Sequence, residues 1–198
     1  MNQPTTEHGG PAPDKDVVAL LMAQHGRIRD LFDEVEATSG DARRDAFGRL
    51  VHMLAVHETA EEEVVHPFAK RTAEGGESIV AERLEEERKA KEALASLEEM
   101  DPDDEKFQPA LLELRMDVEQ HARAEERYEF AQLRRLSDPS TLATLAKSVK
   151  VAEATAPTHP RPGVETGAKN AALGPFAAIK DRVKDAMRGS GSQGSSSG

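Results

Sequence analysis

The chain has 198 residues and no cysteine, which excludes disulfides, thiolate metal sites and cysteine nucleophiles. Aromatic residues are only 4%, Trp is absent, and Ala, Leu, Val, Glu, Lys and Arg dominate, a composition that suits an all-α protein. The net charge of −11 is uneven: from Asp138 onward eight Lys/Arg face five Asp/Glu, leaving −14 on residues 1–137. Such an acidic body repels nucleic acid, so no nucleic-acid partner is expected.

Residues 1–13 contain three prolines and two glycines and read as a disordered N-terminus. They lack the basic and apolar pattern of a targeting signal, and no run reaches membrane-spanning length, so a cytoplasmic protein without a membrane span is expected. A first helix is predicted over about 14–37, with Val17, Val18, Leu21, His25, Ile28, Phe32 and Val35 recurring at three- and four-residue steps. "TSGD" ends it and offers Asp41 as the next N-cap. The second helix, about 42–71, carries the stripe Phe47, Leu50, Leu54, His57, Glu61, Val64 and Phe68, and "AEGGES" breaks it. The third, about 77–100, shows Val80, Leu84, Glu87, Lys91 and Leu94, with Leu97 alongside. "DPDD" then starts a fourth, about 104–136, with Phe107, Leu111, Leu114, Val118, His121, Glu125 and Tyr128.

Short connections make consecutive helices run antiparallel, so the expected fold is an up-down-up-down four-helix bundle over 14–137. A C-terminal extension over 138–188 follows, partly disordered, with a weaker helix at about 141–152 and the linker "APTHPRPG". It ends in a short amphipathic segment with Phe176, Ile179, Val183 and Met187. Residues 189–198 are a flexible Gly/Ser tail.

Each apolar stripe is interrupted near mid-helix by a residue able to bind a metal: His25, then His57 with Glu61, then Glu87, then His121 with Glu125. Residues four apart share a helix face, about 6 Å apart along the axis. Each His/Glu pair can therefore aim an imidazole and a carboxylate into one cavity. A carboxylate can bridge two cations while an imidazole nitrogen binds one, so the set suits a dinuclear centre. Without cations, three crowded carboxylates would cost several kcal/mol or stay protonated. A lone histidine on an apolar stripe is usually a hydrogen-bonded core residue, but that explanation must hold separately on four helices. His8 and His159 fall in predicted loops, and His52 and His66 point away from the stripe, so surface positions are expected for all four.

At "QHGRIRDLF", "HETAE", "EEERKAKEAL" and "HARAEERYEF" the chain resembles the hemerythrin-like family, also called the HHE cation-binding domain, over about residues 14–136. The segment "THPRPGVETGAKNAALGPFAAIKDRVKDAM" also resembles tails of some bacterial members. The resemblance implies two non-heme iron ions joined by an oxygen bridge and two carboxylates inside a four-helix bundle. It implies binding or sensing of oxygen, peroxide or nitric oxide, or a di-iron activity that consumes peroxide or nitric oxide.

The departure is on the third helix, where the oxygen carriers have His-x-x-x-His and this chain has Glu87 and Lys91. That puts simple oxygen carriage in doubt, and Lys91 is expected to snorkel outward or be neutral beside cations. Tyr128 is expected either beside the centre, as an iron ligand or a hydrogen-bond donor to a bound species, or capping the core. Glu58 is a further candidate ligand. Two other function classes stay open. One is a non-catalytic bundle for iron storage, iron sensing or structural zinc or manganese. The other is a metal-free helical interaction module. Within the di-iron reading, the amphipathic segment at 173–188 of the C-terminal tail offers a route to a protein partner.

Overall fold

The computed structural model describes residues 16–159, and every regular element among them is helical. Helix α1 (Val17–Ala37) starts at Asp16, whose carboxylate accepts hydrogen bonds from the backbone N–H of Val18 (2.9 Å) and Ala19 (3.3 Å). Helix α2 (Gly40–Ala60) passes through a wide π turn (Glu61–Val65) into α3 (His66–Thr72). Helix α4 spans Gly76–Glu98. Helix α5 (Phe107–Ala124) passes through a second π turn (Glu125–Glu129) into α6 (Phe130–Leu136), and α7 (Pro139–Glu153) follows.

The turns follow local chemistry. Gly40 makes the turn into α2 with φ 57°, left-handed backbone that glycine tolerates. The helix therefore begins before Asp41, with Ser39 at the N-cap, and Asp41 lies in the first turn and is not the cap. Gly75 likewise takes φ 68°, and a Cβ on Gly76 would lie 2.4 Å from the carbonyl oxygen of Ala69, so only glycine lets α4 begin this close to α3. Asp138 caps α7 through the N–H of Thr141 at 2.7 Å, with Pro139 opening the helix.

The apolar side chains form two separate clusters. One joins Val17, Val18 and Leu21 at the start of α1 with Val64, Val65, Phe68, Val80, Phe130 and Leu133. It also takes in Leu142, Leu145, Ala146, Val149 and Ala152 of α7, which packs against α1, α2 and the first π turn. The other joins Ile28, Leu31, Phe32 and Val35 with Phe47, Leu50, Leu54, Leu94, Leu97, Phe107, Leu111, Leu114 and Val118. Each large side chain fully buried in this way contributes about 1.5–3 kcal/mol.

On every long helical segment the predicted donors fall between these clusters, so the core is split by a polar layer. Among the described residues no helix is long and apolar enough to cross a membrane. The expectations for residues 1–13, His8, the amphipathic segment at 176–187 and the Gly/Ser end lie outside the described residues.

Candidate metal centre

The polar layer is as buried as the apolar clusters beside it. His25, His57, Glu61, Glu87 and Glu125 are 0–3% exposed. His121 is slightly more open, its side chain 11% exposed. One donor atom from each of His25, His57, Glu61 and Glu125 lies within 4.8 Å of the others, and the same holds for Glu61, Glu87, His121 and Glu125. The six donors named from the sequence thus form two groups that share two carboxylates. His25 Nε2 is 3.4 Å from Glu125, His57 Nε2 is 3.3 Å from Glu61, and His121 Nε2 is 3.4 Å from Glu125.

The far side of each imidazole is held by an acceptor. The Nδ1–H of His57 donates to Gln24 Oε1 at 2.8 Å, that of His25 to Glu126 at 2.9 Å, and that of His121 to Glu86 at 2.9 Å. Donation from Nδ1 fixes the ring and turns Nε2 inward, an arrangement that metal-binding histidines share. The ring of His25 also stacks on Phe130, with centroids 5.7 Å apart.

Facing inward, His25 Nε2, His121 Nε2, Glu87 Oε2 and both oxygens of Glu61 and Glu125 are buried and form no hydrogen bond within the protein. Orphaned carboxylate oxygens at this depth are costly unless a proton or a cation meets them. Three imidazole nitrogens and three carboxylates are the donor types that suit iron, manganese or zinc. The residues present therefore fit a metal pair.

Electrostatics without a cation points the same way. Burial, with the Glu125 charge behind it, pushes the Glu61 carboxyl well above the usual carboxylate range. Glu125 goes the other way: burial opposes its charge, but His121 and then His25 hold it well below that range. The two shared carboxyls are thus driven in opposite directions. Burial, with His25 next to it, lowers the His57 imidazole to about 3, leaving a neutral ring.

Several expectations are corrected here. His66 is not on the surface; it is 1% exposed, with Nε2 2.5 Å from Glu87 and Nδ1 3.0 Å from Glu129. The π turn is the cause: the N–H of His66 bonds to the carbonyl of Glu61, five residues back, so His66 comes around over Glu61. Tyr128 neither caps the core nor approaches the centre. It is 53% exposed, beside Arg127. The second π turn, closed by the N–H of Phe130 on the carbonyl of Glu125, places Glu129 inward in its stead.

Lys91 neither snorkels outward nor is neutral. It is buried and ion-paired with Glu62. Burial opposes its charge, but Glu58 and then Glu62 outweigh this and raise its pKa. Glu58 is buried outside both donor groups. His52 is exposed, and so is His159, which pairs with Glu98. Pro67 was the available signal for the first π turn, since it lacks the N–H that a regular helix would need there. The second has no such mark.

A pocket of about 220 Å³ reaches the donors, lined by His25, His57, Glu87 and His121 and by the apolar Ile28 and Val118.

The Hemerythrin HHE cation binding domain matches residues 16–133. A hemerythrin-like protein of Schizosaccharomyces pombe is 31% identical over 171 residues, which span 84% of each chain. A DNA nickase of Nostoc sp. is 26% identical over 127 residues, which are 64% of this chain and only 36% of the nickase. Among solved structures, a hemerythrin HHE cation binding domain-containing protein from Mycobacterium kansasii matches with a TM-score of 0.62 at 17% identity. That match covers 71% of this chain and 86% of the other, and at such identity it is a likeness of fold.

Proposed function

The chain belongs to the hemerythrin HHE cation-binding domain family, and from that premise we propose a non-heme di-iron protein that binds, senses or reacts with a small oxidant. Oxygen, peroxide and nitric oxide are the candidate oxidants. His25 and His57 would hold one iron and Glu87 and His121 the other, with Glu61 and Glu125 within reach of both. The observation that carries this reading is the pair of donor groups with two carboxylates in common.

Bound iron supplies one-electron redox chemistry and open coordination positions for a small oxidant. The chain's own residues do the rest. Gln24, Glu126 and Glu86 orient the imidazoles. Phe130, Leu54 and the two apolar clusters keep bulk water from the donors. At about 30 Å³ per water, the 220 Å³ pocket has room for roughly seven waters, ample for a diatomic or peroxide ligand. An antiparallel order of the four long helical segments, in the cytoplasm, completes the reading. It is supported by clusters that pair the start of α1 with α3 and the end of α1 with the first half of α2.

A non-catalytic role in iron storage or sensing, or with zinc or manganese, uses the same donors, because nitrogen and oxygen ligands do not select iron by affinity. A metal-free interaction module is disfavoured by the orphaned buried carboxylates. We carry over no activity on DNA from the nickase, since most of that enzyme has no counterpart here and the net charge of −11 repels phosphate.

The test is metal analysis and an ultraviolet-visible spectrum of iron-loaded protein before and after peroxide. The reading expects two irons per chain and a charge-transfer band that responds to peroxide. Repeated peroxide consumption that is lost in Glu61→Ala would identify an enzyme. A spectral change without turnover would identify a sensor. Fewer than one metal per chain would end the di-iron reading.

A further inference from the structure

We propose that His66, Glu125 and Glu129 form a third cation position beside the di-metal pair, a place where a divalent ion rests before or beside the other two. The proposal builds on the reading that Glu125 binds metal, and it adds two residues, His66 and Glu129, outside the six donors of the pair.

The first observation is the placement of the two π turns. Both open at a shared carboxylate, one at Glu61 and one at Glu125, on two different helical segments. At the far end of each turn a further polar side chain is buried: His66 on the first segment and Glu129 on the second, at 1% and 0% exposure. π turns inside α-helices recur at functional sites, where they re-aim side chains.

The second observation is the donor geometry. One atom each of His66, Glu125 and Glu129 lies within 4.8 Å of the others. His66 Nδ1 and Glu129 Oε1 are 3.0 Å apart, close to the spacing of neighbouring ligands around an ion that binds nitrogen and oxygen at about 2.1 Å.

The third observation is unmet bonding capacity. Glu129 Oε2 and both oxygens of Glu125 are buried, and none forms a hydrogen bond within the protein. His66 satisfies one oxygen of Glu129 and leaves the other buried without a partner. A structural ion pair alone would not need the second oxygen buried and unpartnered.

One imidazole nitrogen and two carboxylates suit ferrous iron, manganese or zinc better than calcium, which prefers oxygen alone. Three protein donors leave coordination positions for water, so an ion here exchanges more readily than one in the pair. Glu125 belongs to all three donor groups and offers a direct hand-over from the third position to the other two.

The experiment is equilibrium dialysis of the chelator-stripped full chain against ferrous iron under argon, with wild type, Glu129→Gln and His66→Gln compared. The expected result is three binding equivalents in the wild type, the third weaker than the first two. Both variants should lose the third equivalent, with affinity down at least tenfold, and keep the other two. Two equivalents in the wild type would overturn the third position while leaving the di-metal reading intact. A third equivalent that persists in both variants would be a surface ion and would also overturn it. No bound metal at all would bring down the di-metal reading and this proposal together. Circular dichroism checks that each variant folds, and a wild-type count of two overturns the third position whether or not the variants fold.

Discussion

The two sides of the polar layer are built differently. On the side of Ile28, Phe32, Leu50, Leu94 and Leu111, four regular α-helical stretches meet and bury aliphatic and aromatic side chains at three- and four-residue steps. On the side of Val17, Val65, Phe130 and Leu145, two of the segments pass through π turns, and a further helix, α7, fills the remaining space. Buried charge collects next to the π turns: Glu62 with Lys91, and His66 between Glu87 and Glu129. Regular helix makes one side a stable scaffold, while the wide turns give up hydrogen-bond regularity to bring more polar groups inward.

The largest expected effect breaks the centre and spares the scaffold. Glu125→Ala removes a carboxylate common to both donor groups, so under the proposed di-iron reading iron retention should weaken well over tenfold while the helical circular dichroism signal persists. Retention equal to wild type would mean that the shared carboxylate is not a ligand. Phe32→Ala does the converse. A fully buried ring lost from the regular side should cost about 3–5 kcal/mol in denaturant unfolding, with the metal count unchanged at saturating iron. Loss of metal from a still-folded Phe32→Ala protein would show that the two sides are not separable.

Much of this was legible in the sequence. Every residue of the first stripe from Val17 to Val35 is buried, because α1 is regular and capped where Asp16 stands. The second stripe is likewise buried from Phe47 to Phe68. Reading failed where the period itself changed. Tyr128 lies one α-helical turn after Glu125, and His66 lies five residues after Glu61, so a 3.6-residue rule puts the first inside and the second outside. The π turns reverse both. Lys91 was misread for another reason: its partner Glu62 comes from a different helical segment, and no periodicity within α4 could reveal that pairing.

Stripping the metal should separate the two sides by hydrogen exchange. Saturation at 100-fold over the dissociation constant adds about 2.7 kcal/mol to global stability. Amides of Glu61–Val65 and Glu125–Glu129 should gain local protection beyond that, whereas those around Leu50 and Leu111 should follow the global change only. Uniform protection throughout would remove the distinction. A smaller effect is expected at Gln24, whose Oε1 holds the His57 ring and whose amide reaches Glu153 of α7. Gln24→Ala should lower iron affinity by about 10- to 100-fold without changing the number of ions bound, as measured by competition with a chelator.

The smallest expected effect concerns α7. The backbone N–H of Thr141 and the neighbouring hydroxyl hold the Asp138 carboxyl below its ordinary value of 3.8. A depressed carboxyl contributes its stability above that value and loses it as pH falls through the folded-state value. Amides at the start of α7 should therefore lose protection below about pH 3.8, ahead of those in α5, and Asp138→Ala should show the same loss already at neutral pH. Equal protection in wild type and variant at neutral pH would deny the cap any role in holding this helix.

Anomalous diffraction at the iron edge from crystals of the iron-loaded chain tests the central claim most directly. The account predicts two strong peaks on either side of Glu61 and Glu125, one within bonding distance of His25 and His57 and the other of Glu87 and His121. Iron bound elsewhere, or none between these four helical segments, would contradict it.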